Sequence, residues 1–347
     1  MNTPHKEGPV RTNRWFAPSV CRLGPHGFTL IELLVVIAII ALLVTILMPS
    51  LNRAKDLVRR SVCSVHLNGA AKKLITYASE YGGFLPGPNT TGFIYFKGGR
   101  PPDASTSAGM PMQWDDWMSP IFGESMGLPK DRNARLLKIF NMEFYCPANQ
   151  HHYDYIYGSA AGWPDPEKIR YNSYSAPYAL HAYTDAAHAS KNQPGGFFLR
   201  GYDGGLVNME PSGHKFRIDT LGDASLKVAA MDGARYVNDE GRISFNTDTG
   251  SNYGGNFMNR GPCLNPYYQN NGNPYKYDTD RKSLHPIAEQ FSYRHIGTMS
   301  MVFLDGHGSP FDHEESRRID FWFPSGSVVL DPSELGDPNV RRGDIVE

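Results

Sequence analysis

The stretch that decides the fold is "GFTLIELLVVIAIIALLVTILMP", Gly27 to Pro49, an almost unbroken apolar run whose single carboxylic acid, Glu32, stands five residues after the glycine. Of the 21 residues from Phe28 to Met48 only Thr29, Glu32 and Thr45 are polar, so as a helix the run covers about 30 Å, one bilayer hydrocarbon core. No small-x-small site follows before Pro49, which argues against a secretory signal cut after the run. A plain single-pass anchor accounts for everything except Glu32. A carboxylate within a membrane helix costs roughly 2.5 to 3.5 kcal/mol on insertion scales, less near the interface, and ordinarily has a partner. No lysine or arginine lies nearby on the apolar side. A cut between Gly27 and Phe28 would place a new α-amino group four residues before Glu32. Amine and carboxylate, in one chain or between neighbours, would then neutralise each other at low dielectric.

Working outward, the formal net charge of the 347-residue chain is −1, so the overall balance does not point to nucleic acid. The distribution is more telling. Lys6, Arg11, Arg14 and Arg22 precede the apolar run against one acid, Glu7, whereas the remainder is slightly acidic. The positive-inside rule holds such a leader in the cytoplasm and sends the chain beyond the run across the membrane. Four cysteines, Cys21, Cys63, Cys146 and Cys263, form no C-x-x-C pair and no zinc-like spacing. In an oxidising compartment the last three permit one disulfide, and spacing alone does not choose it.

After Pro49, Leu51, Ala54, Val58, Val62 and Val65 recur every three or four residues, and the pattern continues through Ala70, Ala71, Leu74, Ile75 and Ala78 to "EYGGFLPGP". The expectation is one helix over 28–81, membrane-spanning over 28–48, kinked at Pro49 and amphipathic over 49–81. Beyond it, 82–347 reads as a β-rich exported domain. "WDDWMSPIFGESMGL" and "DRNARLLKIF" are short helix candidates, and Asp232-Gly233 and Asp305-Gly306 each stand between apolar runs as hairpin turns. The expected architecture is α+β, with a mainly antiparallel sheet burying one face on the amphipathic half of the helix. Residues 87–110 and 246–284 read as surface loops.

"GFTLIE", some sixteen further apolar residues and a proline resemble the class III signal of type IV prepilins and type II secretion pseudopilins, with Gly27, Phe28, Glu32 and Pro49 on the signature positions. The resemblance implies cleavage of leader 1–27 by a prepilin peptidase, N-methylation of Phe28, and assembly with other pilin or pseudopilin subunits through the helix. It implies a single-pass protein of the cytoplasmic (inner) membrane whose C-terminal domain lies in the periplasm or in a surface filament. A second resemblance is to the H-x9-DG element of exported, planctomycete-type prepilin-like proteins, carried by His295, Asp305 and Gly306 in "RHIGTMSMVFLDGHG". "RRSVCSVHLNGAAKKLITYASEYGGFLP", "FYCPAN" and "YNSYSAPY" are similar to further pieces of that family. On these grounds the disulfide is expected between Cys63 and Cys146.

His295, Asp305, His307, Asp312 and His313 are the densest group of metal-ligating residue types, and a hairpin that brought His295 beside His307 would hold a divalent ion. The plainer reading makes Asp305 a turn former and His295 structural, so no cofactor is expected, with His295, His307 and His313 the candidates if a metal binds. No G-x-S-x-G, H-E-x-x-H or P-loop pattern occurs. "WDDW", Trp114 to Trp117, fits paired carboxylates for sugar chemistry less well than a short helix with Trp inward and Asp solvated. The preferred reading is a non-enzymatic pilin-like subunit. The alternative is a membrane-anchored binding protein that recognises glycans or other surface ligands.

Overall fold

The structure is a computed structural model that describes residues 28–86, 107–113, 116–157, 162–181, 217–233, 244–246, 257–259, 261–263, 286–329 and 331–347. Its contacts divide the chain into two compact units, Met1–Asn52 and Arg53–Glu347. The leader, Gly27, Trp114, Asp115 and most of the two expected loops lie outside the described residues.

Helix α1 spans Leu30–Glu80, 51 residues or about 75 Å at 1.5 Å per residue. Within the first unit every described residue of the apolar run is exposed, and this is a helix long and apolar enough to cross a membrane. Pro49 lies inside α1, where its missing N–H removes the bond that position 49 would give the Thr45 carbonyl. The helix ends where expected: Gly82 and Gly83 take φ of 64° and 89°, and the Gly83 N–H donates to the Ala78 carbonyl.

In the second unit the docked face of α1 is Cys63, Leu67, Ala70, Ala71, Leu74, Tyr77 and Ala78. Its small residues let the chain approach closely. This corrects the expected stripe, because Val58 and Val65 are 64% and 68% exposed. They lie seven residues apart on a face turned away from Cys63, and the docked seam starts only there.

Short helices follow at Met118–Phe122 (α2) and Arg132–Lys138 (α3), the latter capped by the Asp131 carboxylate accepting from the Ala134 N–H and continued by a π-helical turn over Ile139–Glu143. The strands are β1 (Tyr155–Tyr157), β2 (Tyr174–Pro177), β3 (Val228–Asp232), β4 (Ser244–Asn246), β5 (Met258–Asn259), β6 (Met299–Phe303) and β7 (Gly308–Phe311), with helices α4 (Tyr178–His181) and α5 (Pro286–Phe291) between them. Among the described residues five strands form a sheet ordered β5-β2-β3-β6-β7, antiparallel throughout except for the parallel β2–β5 pair, and β1 pairs with β4 in parallel. The sheet is therefore mixed at one edge.

Asp305-Gly306 makes the expected turn between β6 and β7, with Gly306 at φ 91° and the Gly306 N–H bonded to the Phe303 carbonyl. Asp232 is the last residue of β3, and the Gly233 N–H donates to the Ser173 carbonyl, extending the pairing with β2. Residues 234–240, which the second expected hairpin needs, lie outside the described ones.

β6 alternates between two cores. Val302 and Leu304 join the cluster that includes Cys63, Leu67, Leu74 and Tyr174, whereas Met299, Met301 and Phe303 join Trp322, Phe323 and Val329 from the C-terminal segment. The sheet thus buries both faces rather than one, because Ile319, Phe321, Trp322, Phe323, Val329, Leu335 and Val346 pack on the face whose side chains do not join the α1 cluster. β7 is an outer strand with an exposed surface, and its Pro310 stands opposite Ser300.

Candidate functional site

Among the described residues two places carry chemistry. At the N-terminus of α1 the Thr29 N–H donates to Glu32 Oε2 at 2.9 Å, the Thr29 hydroxyl donates to the same oxygen at 2.8 Å, and the Glu32 N–H donates to Thr29 Oγ1 at 3.2 Å. This is a reciprocal capping box, Thr at the cap and Glu three residues on. Reasoning from charge alone points Glu32 at the Phe28 amine and misses the Thr-x-x-Glu spacing, which is legible in the sequence. Phe28 itself is 67% exposed.

The second place lies inside the second unit. Four distant segments deliver one liganding atom each from Cys63 on α1, Cys146 after the π-helical turn, Asp232 at the end of β3 and His295 before β6, all within 4.8 Å of one another and all buried. Each is fixed locally. The Cys146 N–H donates to Ser173 Oγ at 3.0 Å, and the Ala148 N–H points at the Cys146 sulphur at 3.4 Å. Asp232 accepts the Ser300 N–H at 2.9 Å on Oδ2 and Arg294 Nη2 at 2.6 Å on Oδ1, with the Asp232 and Arg294 side chains at most 3% exposed. Arg294 also donates to the Ser173 and Phe291 carbonyls and to the Tyr171 hydroxyl.

His295 opens a tight turn in which His295 and Thr298 exchange backbone hydrogen bonds while Ile296 and Gly297 take φ of 58° and 71°. A β-branched residue in the left-handed region costs of order 1–3 kcal/mol, so the packing around His295 holds this backbone against its preference. His295 Nε2 sits 3.3 Å from Cys146 Sγ and 3.5 Å from Asp232 Oδ2.

The electrostatics are tightly balanced. Burial pushes the Asp232 carboxyl above the usual range against the pull of Arg294 and His295, while Arg294, although buried, is held firmly protonated by Asp232. Arg294 Nη2 stands 2.6 Å from Asp232 Oδ1 and favours the ionised carboxylate against burial. Of the two thiols, Cys63 is driven up by its hydrogen bond to Cys146 and by burial. For Cys146 burial acts upward, but the hydrogen bond from Cys63, Arg294 and His295 outweigh it and draw the thiol toward thiolate.

Cys63 and Cys146 are neighbours, as the expected disulfide requires, but both are free thiols here. His295 and His307, metal candidates of the sequence, lie apart in their surroundings. His295 is buried, whereas His307 is exposed on the β6–β7 turn, donating to Asp305 Oδ1 at 2.7 Å and stacked on Phe303. Asp312 accepts the Glu314 and Glu315 N–H groups in a local turn, away from any shared centre with His313. Asp116 is not solvated as expected. It is fully buried and accepts the N–H groups of Met112, Met118 and Ser119, so it caps α2, and Trp117 packs inward with Nε1–H on the Phe257 carbonyl. Sequence reasoning misses Asp232 and Arg294: an Asp-Gly pair reads as a turn, and only tertiary pairing makes it a strand end.

Residues 24–48 match the family model described as the prokaryotic N-terminal methylation motif. The chain is also 52% identical over 46 residues to the type IV wide pilus major component PilA4 of Thermus thermophilus, a match covering 13% of this chain and 35% of that protein. The chain thus spans about a third of the length of the curated relative it matches. No solved structure matches. The N-terminal segment is thus similar to that of prepilins, over the residues these matches cover.

Proposed function

We propose that this chain is a structural subunit of a type IV pilus or a type II secretion pseudopilus. It is made as a precursor, cut between Gly27 and Phe28 by a prepilin peptidase, methylated on Phe28, and assembled with other pilin or pseudopilin subunits through α1 by the membrane-bound assembly machinery. Before assembly the protein sits in the cytoplasmic membrane by one pass, with Arg53–Glu347 on the exported side. The role is architectural rather than enzymatic.

One observation carries this reading: a methylation motif over 24–48 whose single acid, Glu32, lies at the start of α1, where residues 30–48 are apolar but for Glu32 and Thr45 and are exposed throughout. An apolar surface of that length is satisfied by lipid or by copies of itself, and exposed Val58 and Val65 extend it toward the exported side. The capping box gives the acid a local task, so two variants separate that task from assembly. Glu32→Gln keeps an acceptor for the Thr29 N–H and removes the charge, whereas Glu32→Ala removes both. Both are expected to insert in the membrane, and both to fall at least about tenfold in sheared surface filaments, a loss of about 1.4 kcal/mol of assembly energy. Normal incorporation of Glu32→Gln would refute a charge-dependent assembly step. Mass spectrometry of the mature N-terminus tests processing separately: methylated Phe28 supports it, and an intact Met1 overturns it.

A further inference from the structure

We propose that Cys63, Cys146, Asp232 and His295 form a buried site for a thiophilic divalent cation, zinc by its ligand set. The proposal is independent of filament assembly and rests on the second unit alone. Each residue presents one atom to a common point, and four atoms within 4.8 Å is the complement of a closed structural zinc centre. With Zn–S of about 2.3 Å and Zn–N or Zn–O of about 2.0 Å, the edges of a tetrahedron run about 3.3 to 3.8 Å. The separations of His295 Nε2 from Cys146 Sγ and from Asp232 Oδ2, 3.3 and 3.5 Å, fall in that range.

The direction of the imidazole separates this from a nucleophilic relay. A Cys-His-Asp relay uses the two ring nitrogens for different partners, one for the sulphur and the other for the carboxylate. Here one nitrogen, Nε2, faces both, which is convergence on a centre rather than transmission along a chain. All four residues are at most 1% exposed, so no substrate reaches the sulphur and no coordination position is left open to water.

Charge agrees. In the bound state both cysteines are thiolates, so two thiolates and one carboxylate surround a dication. Three negative charges against the cation and Arg294 sum to zero with His295 neutral. Arg294 on Oδ1 and the Ser300 N–H on Oδ2 supply the outer hydrogen bonds that orient a ligating carboxylate. The left-handed Ile296 in the turn after His295 is the kind of backbone cost that persists where a side chain must be aimed. Such an ion would clamp α1 to the Cys146 loop, β3 and the start of β6.

The test uses the full-length wild-type chain in detergent micelles, made without chelator. Elemental analysis is expected to find about one zinc per chain, and alkylation after chelation under denaturing conditions to label both Cys63 and Cys146. Replacement by Co²⁺ should give the visible bands of tetrahedral cobalt with a sulphur-to-cobalt charge-transfer band. Asp232→Asn should shift the visible bands and weaken zinc by at least about tenfold. A Cys63–Cys146 disulfide with no metal, or two free thiols that take up neither Zn²⁺ nor Co²⁺, overturns the proposal. Those readings come from the wild type and stand even if a variant fails to fold.

Discussion

Removing Arg294 tests the balance at the heart of the second unit. Arg294→Met keeps the length of the side chain but leaves the Asp232 carboxylate without its 2.6 Å partner and strips donors from the Ser173 and Phe291 carbonyls and the Tyr171 hydroxyl. With the two side chains 3% and 0% exposed, solvent cannot replace the lost charge. Breaking such a buried pair from one side costs about 3–5 kcal/mol. At about 2 °C per kcal/mol for a domain of this size, the melting temperature should fall by about 6–10 °C. Urea and thermal unfolding of the detergent-solubilised chain, followed by the fluorescence of buried Trp117 and Trp322, reads both quantities. The reasoning makes a sharper demand on the double variant. Arg294→Met with Asp232→Asn removes the orphaned charge as well, so it should be less destabilised than the sum of the single variants. A single variant within about 1 kcal/mol of wild type, or costs that simply add, would refute a buried ion pair.

His181 is fully buried with Nδ1–H on the Pro86 carbonyl, and burial draws its pKa down to about 4. It stays neutral in the fold while the unfolded chain protonates near 6.5, so the stability it leaves intact above that pH is lost as pH falls toward 4, by about 3 kcal/mol. His181→Asn should flatten that part of the pH–stability curve; an unchanged slope would place the acid sensitivity elsewhere. Gly261 has φ 77°, and a Cβ there would lie 2.4 Å from the Trp322 ring. Gly261→Ala should therefore cost at least about 2–3 kcal/mol and alter Trp322 fluorescence, whereas a wild-type melt would show that the C-terminal segment yields easily.

How far the sequence could be read depended on how local each signal was. The apolar run, the glycines ending α1 and the Asp305-Gly306 turn are decided by residues a few positions apart, and all three appear as expected. The docked seam of α1 was harder. It begins at Cys63 and is rich in alanine, whereas the more conspicuous valines at 58 and 65 face outward. Nothing in a helical period says which of two weakly apolar faces meets a sheet. The buried centre was the least legible. His295 stands out in the sequence, but with His307 as its near neighbour there, while its neighbours in space come from α1, the Cys146 loop and β3. Asp232 shows the same limit: Asp-Gly is a turn signal until Arg294 offers it a charge inside the sheet.

Pro310 has a consequence for life among copies. Among the described residues β7 is an outer strand of the five-stranded sheet, and an open strand edge is a template on which another chain can zip. A proline there supplies no amide hydrogen to an incoming backbone and interrupts the ladder at its middle. In any ordered array, where identical domains are held at high local concentration for long periods, the hazard is fusion through the wrong surface. There Pro310 would act as an insulator, denying a neighbouring backbone one rung of its ladder.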